Sequence, residues 1–263
     1  MTVTEVLDRF RDTLLGRIVT ALVAINIVDR ALALSSKMFV VIIPLTILTG
    51  AVIEGESYGD TLVDRFGLDG RGAEATLTLF ESPDTIKAGI SFLGIGFLIF
   101  GSLSLARGLE AVYLDAWELK TVPGSVFRRL GWIASVVGFL AIAGPVKTLF
   151  GELGLRVTTA VVSLSLTTIL WMWSPYLLLA QRMSWQKLLP TGLLTALATG
   201  ALGVASLIYM PTVVTTDAQR YGLIGVAFAL VSWLFAYCCA VIGAVVVAAV
   251  LAGRHPDRTT DED

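Results

Sequence analysis

Apolar residues gather into six long runs, over residues 31–53, 86–106, 130–150, 157–180, 188–211 and 222–252, and most charges fall between them. A bilayer core is crossed by about 20 apolar residues in helical form, and every run reaches that length. The pattern predicts an all-α, polytopic membrane bundle of six transmembrane helices, residues 31–252. Ahead of it, Val6, Phe10, Leu14 and Ile18 recur at helical spacing, while Asp8, Arg9, Arg11 and Asp12 lie mostly off that stripe. This reads as an interfacial amphipathic helix within an arm over residues 1–30. The plain alternative is one long helix whose first half packs on its neighbours. In the first connection, residues 54–84, Tyr58, Leu62 and Phe66 share one helical face, and Leu77 and Phe80 begin another. Gly67 and Asp69-Gly70 break the pattern between them, so two short helices are expected to form an outer cap. Residues 253–263 form a polar tail.

Charge orients the frame. Short cytoplasmic loops carry an excess of Lys and Arg. Twelve basic residues fall in the arm, the second and fourth connections and the tail, against four in the first, third and fifth connections. Six spans with both termini cytoplasmic fit that bias. The first connection is acidic, with eight carboxylates against two arginines. The short apolar stretch Ile18–Val28 runs through Asp29-Arg30 into the first run without a small-residue cleavage site. The spans themselves are therefore expected to direct insertion.

Small residues and prolines modify the helices. Gly89, Gly94, Gly96 and Gly101 line the second run, Gly192, Gly200 and Gly203 the fifth, and Gly222, Gly225 and Gly243 the sixth. Close helix packing explains them, and bending is a second use. Pro175, inside the aromatic stretch Trp171–Tyr176, is expected to kink the fourth span. Pro44, Pro145 and Pro211 are placed to kink or end the first, third and fifth.

Composition narrows the chemistry. Apolar residues make up 56% of the chain and charged residues 15%. A net charge of −2 gives no reason to expect nucleic acid as a partner. Cys238 and Cys239 are adjacent within the last run and read as reduced, packed thiols. The single histidine, His255, lies in the tail, away from any ligand spacing. No phosphate-cradling loop, zinc-binding helix pattern or nucleophile elbow is present. No metal and no cofactor are expected, and an enzyme is a poor reading.

Charges in or beside the spans carry more weight, because burying one costs several kcal/mol unless it is paired or hydrated. Lys37 lies seven residues past Arg30, about 10 Å further along a helix. It either snorkels to the headgroups or faces an anionic headgroup in a hydrated cavity. Ser35 and Ser36 beside it, with Asn26 and Asp29 below, would extend a polar track. Arg107 and Glu110 stand at a spacing suited to a local ion pair. Lys147, near the outer end of the third run, is explained by snorkelling.

Several stretches, in order, resemble the YihY/BrkB-type envelope integral membrane proteins. Tyr221-Gly222 through Gly225, then Trp233 with its following aromatic, then Gly243-Ala244, is similar to that family's last span. Trp185 through Pro190-Thr191-Gly192 resembles its opening of the fifth span, and Arg107 through Trp117 with Phe127-Arg128-Arg129 its second cytoplasmic connection. The resemblance covers about residues 10 to 250. It departs at Val245, where the family commonly has glutamate, and at Ser36-Lys37, where aromatic residues are common. The resemblance implies a role in envelope integrity and movement of lipids or lipid-linked components. The ribonuclease label that travels with the family finds no support in these residues.

Two functions are expected from this reading. One is a flippase-like transporter in which Asp29, Arg30, Ser36, Lys37, Arg107 and Glu110 are headgroup candidates, while Pro44, Pro175, Gly222, Gly225, Trp233 and Gly243 shape the helices. The other is a scaffold for envelope-assembly proteins. Membrane lipids are the expected partners of the first.

Overall fold

The computed structural model describes residues 13–52, 58–80, 90–121, 126–152 and 156–253, and within them every regular element is a helix. In chain order these are α1 (Leu14–Ala24), α2 (Ile27–Val52), α3 (Tyr58–Phe66), α4 (Gly70–Phe80), α5 (Ile90–Ala116), α6 (Val126–Glu152), α7 (Arg156–Leu178), α8 (Trp185–Tyr221) and α9 (Leu223–Leu251). Five of them, α5 to α9, contain stretches long and apolar enough to cross a membrane, and α1 with α2 supplies a sixth if that bent pair is one span. The chain is a multi-pass, all-α membrane protein, as its hydropathy pattern predicts.

The element ends differ from the apolar runs where a polar residue is used inside a helix. α2, the helix of the first apolar run, starts at Ile27, directly after a 55° corner. Asn26 makes the corner at φ +50°, in a left-handed conformation that short polar side chains tolerate best after glycine. α1 and α2 are thus two helices sharing one bend, and the single long helix is not formed. On α1, Gly16, Ala21 and Ile25 are buried, while Leu15, Val19 and Val23 form an exposed apolar stripe. An interfacial helix presents such a stripe to acyl chains. Val6 and Phe10 lie outside the described residues.

α5 extends to Ala116 and so takes in Arg107, Glu110 and Asp115. It ends in a Schellman turn, with Leu119 N–H donating to Leu114 O at 2.8 Å and Glu118 held at φ +50°. α8 runs through Pro211 and stops at Tyr221, 37 residues in all. That is about 55 Å, well beyond the hydrocarbon thickness. Pro211 therefore does not end the helix.

The chain divides into two compact units. One comprises Met1–Ala31, Ala106–Thr199 and Cys239–Asp263, and the other Leu32–Leu105 and Gly200–Cys238. In the first, α6 and α7 are joined by two reciprocal bonds. Trp132 Nε1 donates to Ser174 Oγ and Trp173 Nε1 to Ser135 Oγ, both at 3.0 Å. Each serine turns its own proton back to the carbonyl four residues earlier, Leu170 or Gly131. A lone pair is left for the neighbouring helix's indole. Pro175 sits buried in the last turn of α7, which closes at Leu178 before Ala180 and Gln181 adopt positive φ. Its lost backbone bond falls at a helix end. Gly192 of α8 lies so close to Thr168 O and Met172 of α7 that a Cβ would overlap them.

In the second unit the cap helices bury their apolar face. Leu62, Phe66 and Leu68 pack with Met210, Val214, Ala218, Val226, Ala229 and Leu230, while Asp64, Asp69 and Glu74 stay exposed. Trp233 ties cap and bundle together. Its ring meets Phe66 edge-on at 6.3 Å, and its Nε1 donates to Ser206 Oγ at 2.6 Å. Gly222, at φ +60°, forms the turn between α8 and α9. Just past it, Gly225 lies against the Asp217 carbonyl with no room for a Cβ. A methyl group at Gly225 must push the returning helix away, a cost of about 1–3 kcal/mol. Gly203, whose Cβ would meet open space, provides the control. Thermal unfolding in detergent is expected to show a clear loss for Gly225→Ala and none for Gly203→Ala.

Candidate functional site

Three long helices carry the charges on which the candidate site turns: Asp29, Arg30 and Lys37 on α2, Arg107, Glu110 and Asp115 on α5, and Arg128 and Arg129 on α6. In the first unit, helix packing turns Glu110 inward until it is 3% exposed. Arg128 Nη2 donates to its Oε1 at 2.6 Å and Arg129 Nε to its Oε2 at 2.8 Å. Charge-assisted bonds of this kind are the strong ones, and both carboxylate oxygens are satisfied. The guanidiniums come from the first turn of α6, so the pairing fastens that turn to α5.

This corrects the expected Arg107–Glu110 pair. Arg107 is exposed, and Glu110 reaches across to α6 instead. A local partner could occupy one carboxylate edge, whereas two adjacent arginines on a facing helix occupy both. The cluster carries a surplus positive charge, and Arg128 Nε is buried without a hydrogen-bond partner among the described residues.

Arg30 is also committed. Its guanidinium pairs with Asp115 and its Nε donates to Ile25 O at 2.9 Å, across the Asn26 corner. Both side chains remain about a third or more exposed (34% and 42%), so solvent screening limits the pair to about 0–1 kcal/mol. The proposed polar track beside Lys37 is not assembled by the serines. Ser35 Oγ and Ser36 Oγ both donate to Leu32 O, at 3.0 and 2.8 Å, within their own helix. Asp29 is exposed and Asn26 is used as the corner. Lys37 is left half-buried, and no carboxylate among the described residues pairs with it.

The shape-determining residues divide in the same way. Gly222, Gly225 and Trp233 hold the turn and the cap, as described above. Gly243 does not serve close packing, because a Cβ there would meet nothing within 4 Å. Pro44 and Pro145 fall inside α2 and α6, which continue past them, and His255 lies outside the described residues. Neither Cys238 nor Cys239 is in a disulfide, and Cys238 Sγ contacts Met38 Sδ at 3.6 Å. Among the described residues no group of three or more His, Cys, Asp or Glu side chains is arranged to hold a metal ion.

Sequence reading missed Asp115, and it saw Arg128-Arg129 only as loop charge. Their partners are 85, 18 and 19 residues away, beyond the reach of any local spacing rule. The one available signal was a pair of arginines at the very start of an apolar run. No protein-family model matches the chain, and no curated protein or solved structure is found similar to it.

Removing one member of a buried ion cluster strands the others, typically at about 3–5 kcal/mol. Glu110→Gln is expected to lower thermal stability in detergent by that order, while Arg107→Ala changes it by less than about 0.5 kcal/mol. Equal effects of the two would restore the local pair.

Proposed function

We propose that this chain is an inner-membrane protein, with both termini cytoplasmic, that moves amphiphiles with anionic head groups between leaflets in the manner of a flippase. One observation carries the reading. Arg30, Arg128 and Arg129 are held by carboxylates, whereas Lys37 is half-buried on an apolar helix and no carboxylate among the described residues pairs with it. An ionisable group within a membrane span marks a substrate pathway by default. An ammonium group with three donors suits a phosphate or carboxylate headgroup that arrives with its own negative charge. Acyl chains would remain in lipid. Without a nucleotide-binding loop, uphill movement would draw on an ion gradient or another protein, and no chemical step is assigned to the chain. The resemblance to YihY/BrkB-type proteins points toward the same lipid-related role.

The exposed carboxylates Asp64, Asp69 and Glu74 favour a second reading, a scaffold that docks envelope-assembly proteins on the cap. Deleting the cap would strip the core around Phe66 and Trp233, so charge reversal is the cleaner probe of that surface.

Scrambling of labelled lipids in proteoliposomes tests the proposal. Wild type is expected to move an anionic lipid faster than a zwitterionic one. Lys37→Ala is expected to slow the anionic lipid about tenfold, the equivalent of about 1.4 kcal/mol, with Lys37→Arg retaining most of the rate. A Lys37→Ala protein that scrambles as fast as wild type overturns the site. A folded wild type that moves no lipid, together with crosslinks lost on Asp64→Lys/Asp69→Lys/Glu74→Lys, favours the scaffold.

A further inference from the structure

The buried face of α8 carries hydroxyls at helical spacing: Thr191, Thr195 and Thr199, each one turn beyond the last. Thr191 and Thr195 are both fully buried, at 0% exposure. A helical threonine ordinarily donates to the carbonyl four residues earlier. Thr199 does so, with its Oγ1 2.7 Å from Thr195 O, and Thr167 and Thr168 of α7 do the same. Thr191 Oγ1 and Thr195 Oγ1 do not. Both atoms are buried and have no hydrogen-bond partner among the described residues. Gly192, on the same face, brings α8 against Thr168 O and Met172 of α7, so the hydroxyls sit in a close-packed interior and not at a lipid surface.

Two adjacent buried hydroxyls left unbonded would cost far more than turning them back on their own helix, as their neighbour does. We infer that Thr191 and Thr195 form an internal water site, with one water molecule bonded to both hydroxyls. Water suits this pair better than a monovalent cation. A hydroxyl both donates and accepts, and water answers both functions. A cation takes lone pairs only and leaves the protons unsatisfied, and a pair of neutral oxygens replaces little of its hydration shell. The site closes toward the next turn, because Thr199 spends its proton on Thr195 O.

Thr→Val keeps the side-chain shape and removes the hydroxyl, which separates the water site from packing. If the hydroxyls hold water, Thr191→Val/Thr195→Val lowers the thermal midpoint in detergent by roughly 3–8 °C, and Thr191→Ser/Thr195→Ser loses less. If the hydroxyls are unbonded or turned back on the helix, the valine pair leaves the midpoint unchanged or raises it, and the inference falls. A second arm compares wild type in sodium, potassium and choline chloride. Equal midpoints support water. A midpoint raised by sodium or potassium, and no longer raised in the valine pair, overturns it in favour of a cation.

Discussion

Glu110 cannot be buried at the end of a membrane helix without its two arginines, and much of the first unit follows from that requirement. A lone carboxylate in a low-dielectric interior costs several kcal/mol. Arg128 and Arg129 lie side by side in the first turn of α6 and reach both of its oxygens. The start of α6 is thereby fixed to α5, and the two Trp–Ser bonds then align α7 along α6. Arg30 does a looser version of the same task at the Asn26 corner, joining Asp115 to the last carbonyl of the arm. The charges nearest the membrane are in this sense structural before they are functional.

A second constraint recurs through both units. A serine in a membrane helix satisfies its proton on its own backbone and keeps a lone pair for a neighbour. Ser135, Ser174 and Ser206 each do so, and each receives an indole N–H. Without a hydrophobic drive between helices in lipid, such bonds and the close glycine contacts at Gly101, Gly192 and Gly225 supply the specificity. Gly96, Gly200, Gly203 and Gly243 have open space instead, so glycine content alone overstates how tightly these helices meet.

Whatever depends on local periodicity was legible in the sequence. The apolar runs became long helices, and the faces at Leu62–Phe66 did become a packed cap. The helix ends were less legible, because Asp115 lies beyond the apolar run although α5 extends through it and pairs it with Arg30. Long-range pairing was not legible at all. Nothing in the spacing of Arg30 and Asp115, or of Glu110 and Arg128, says that they meet. The threonine spacing at 191, 195 and 199 was visible, but its burial, which gives it meaning, was not.

Once those pairs are formed, Lys37 is a half-buried charge on α2 that no carboxylate among the described residues pairs with. Its state in the membrane is the point on which the functional account turns. Acylation by a membrane-impermeant amine reagent in vesicles accessible from both faces, read by peptide mass spectrometry, measures that state directly. The account predicts that Lys37 is modified, and that an anionic lipid slows its modification without slowing that of Lys120. A Lys37 that stays unmodified while Lys120 and Lys187 react, or one that anionic lipid fails to protect, would contradict a headgroup path at this residue.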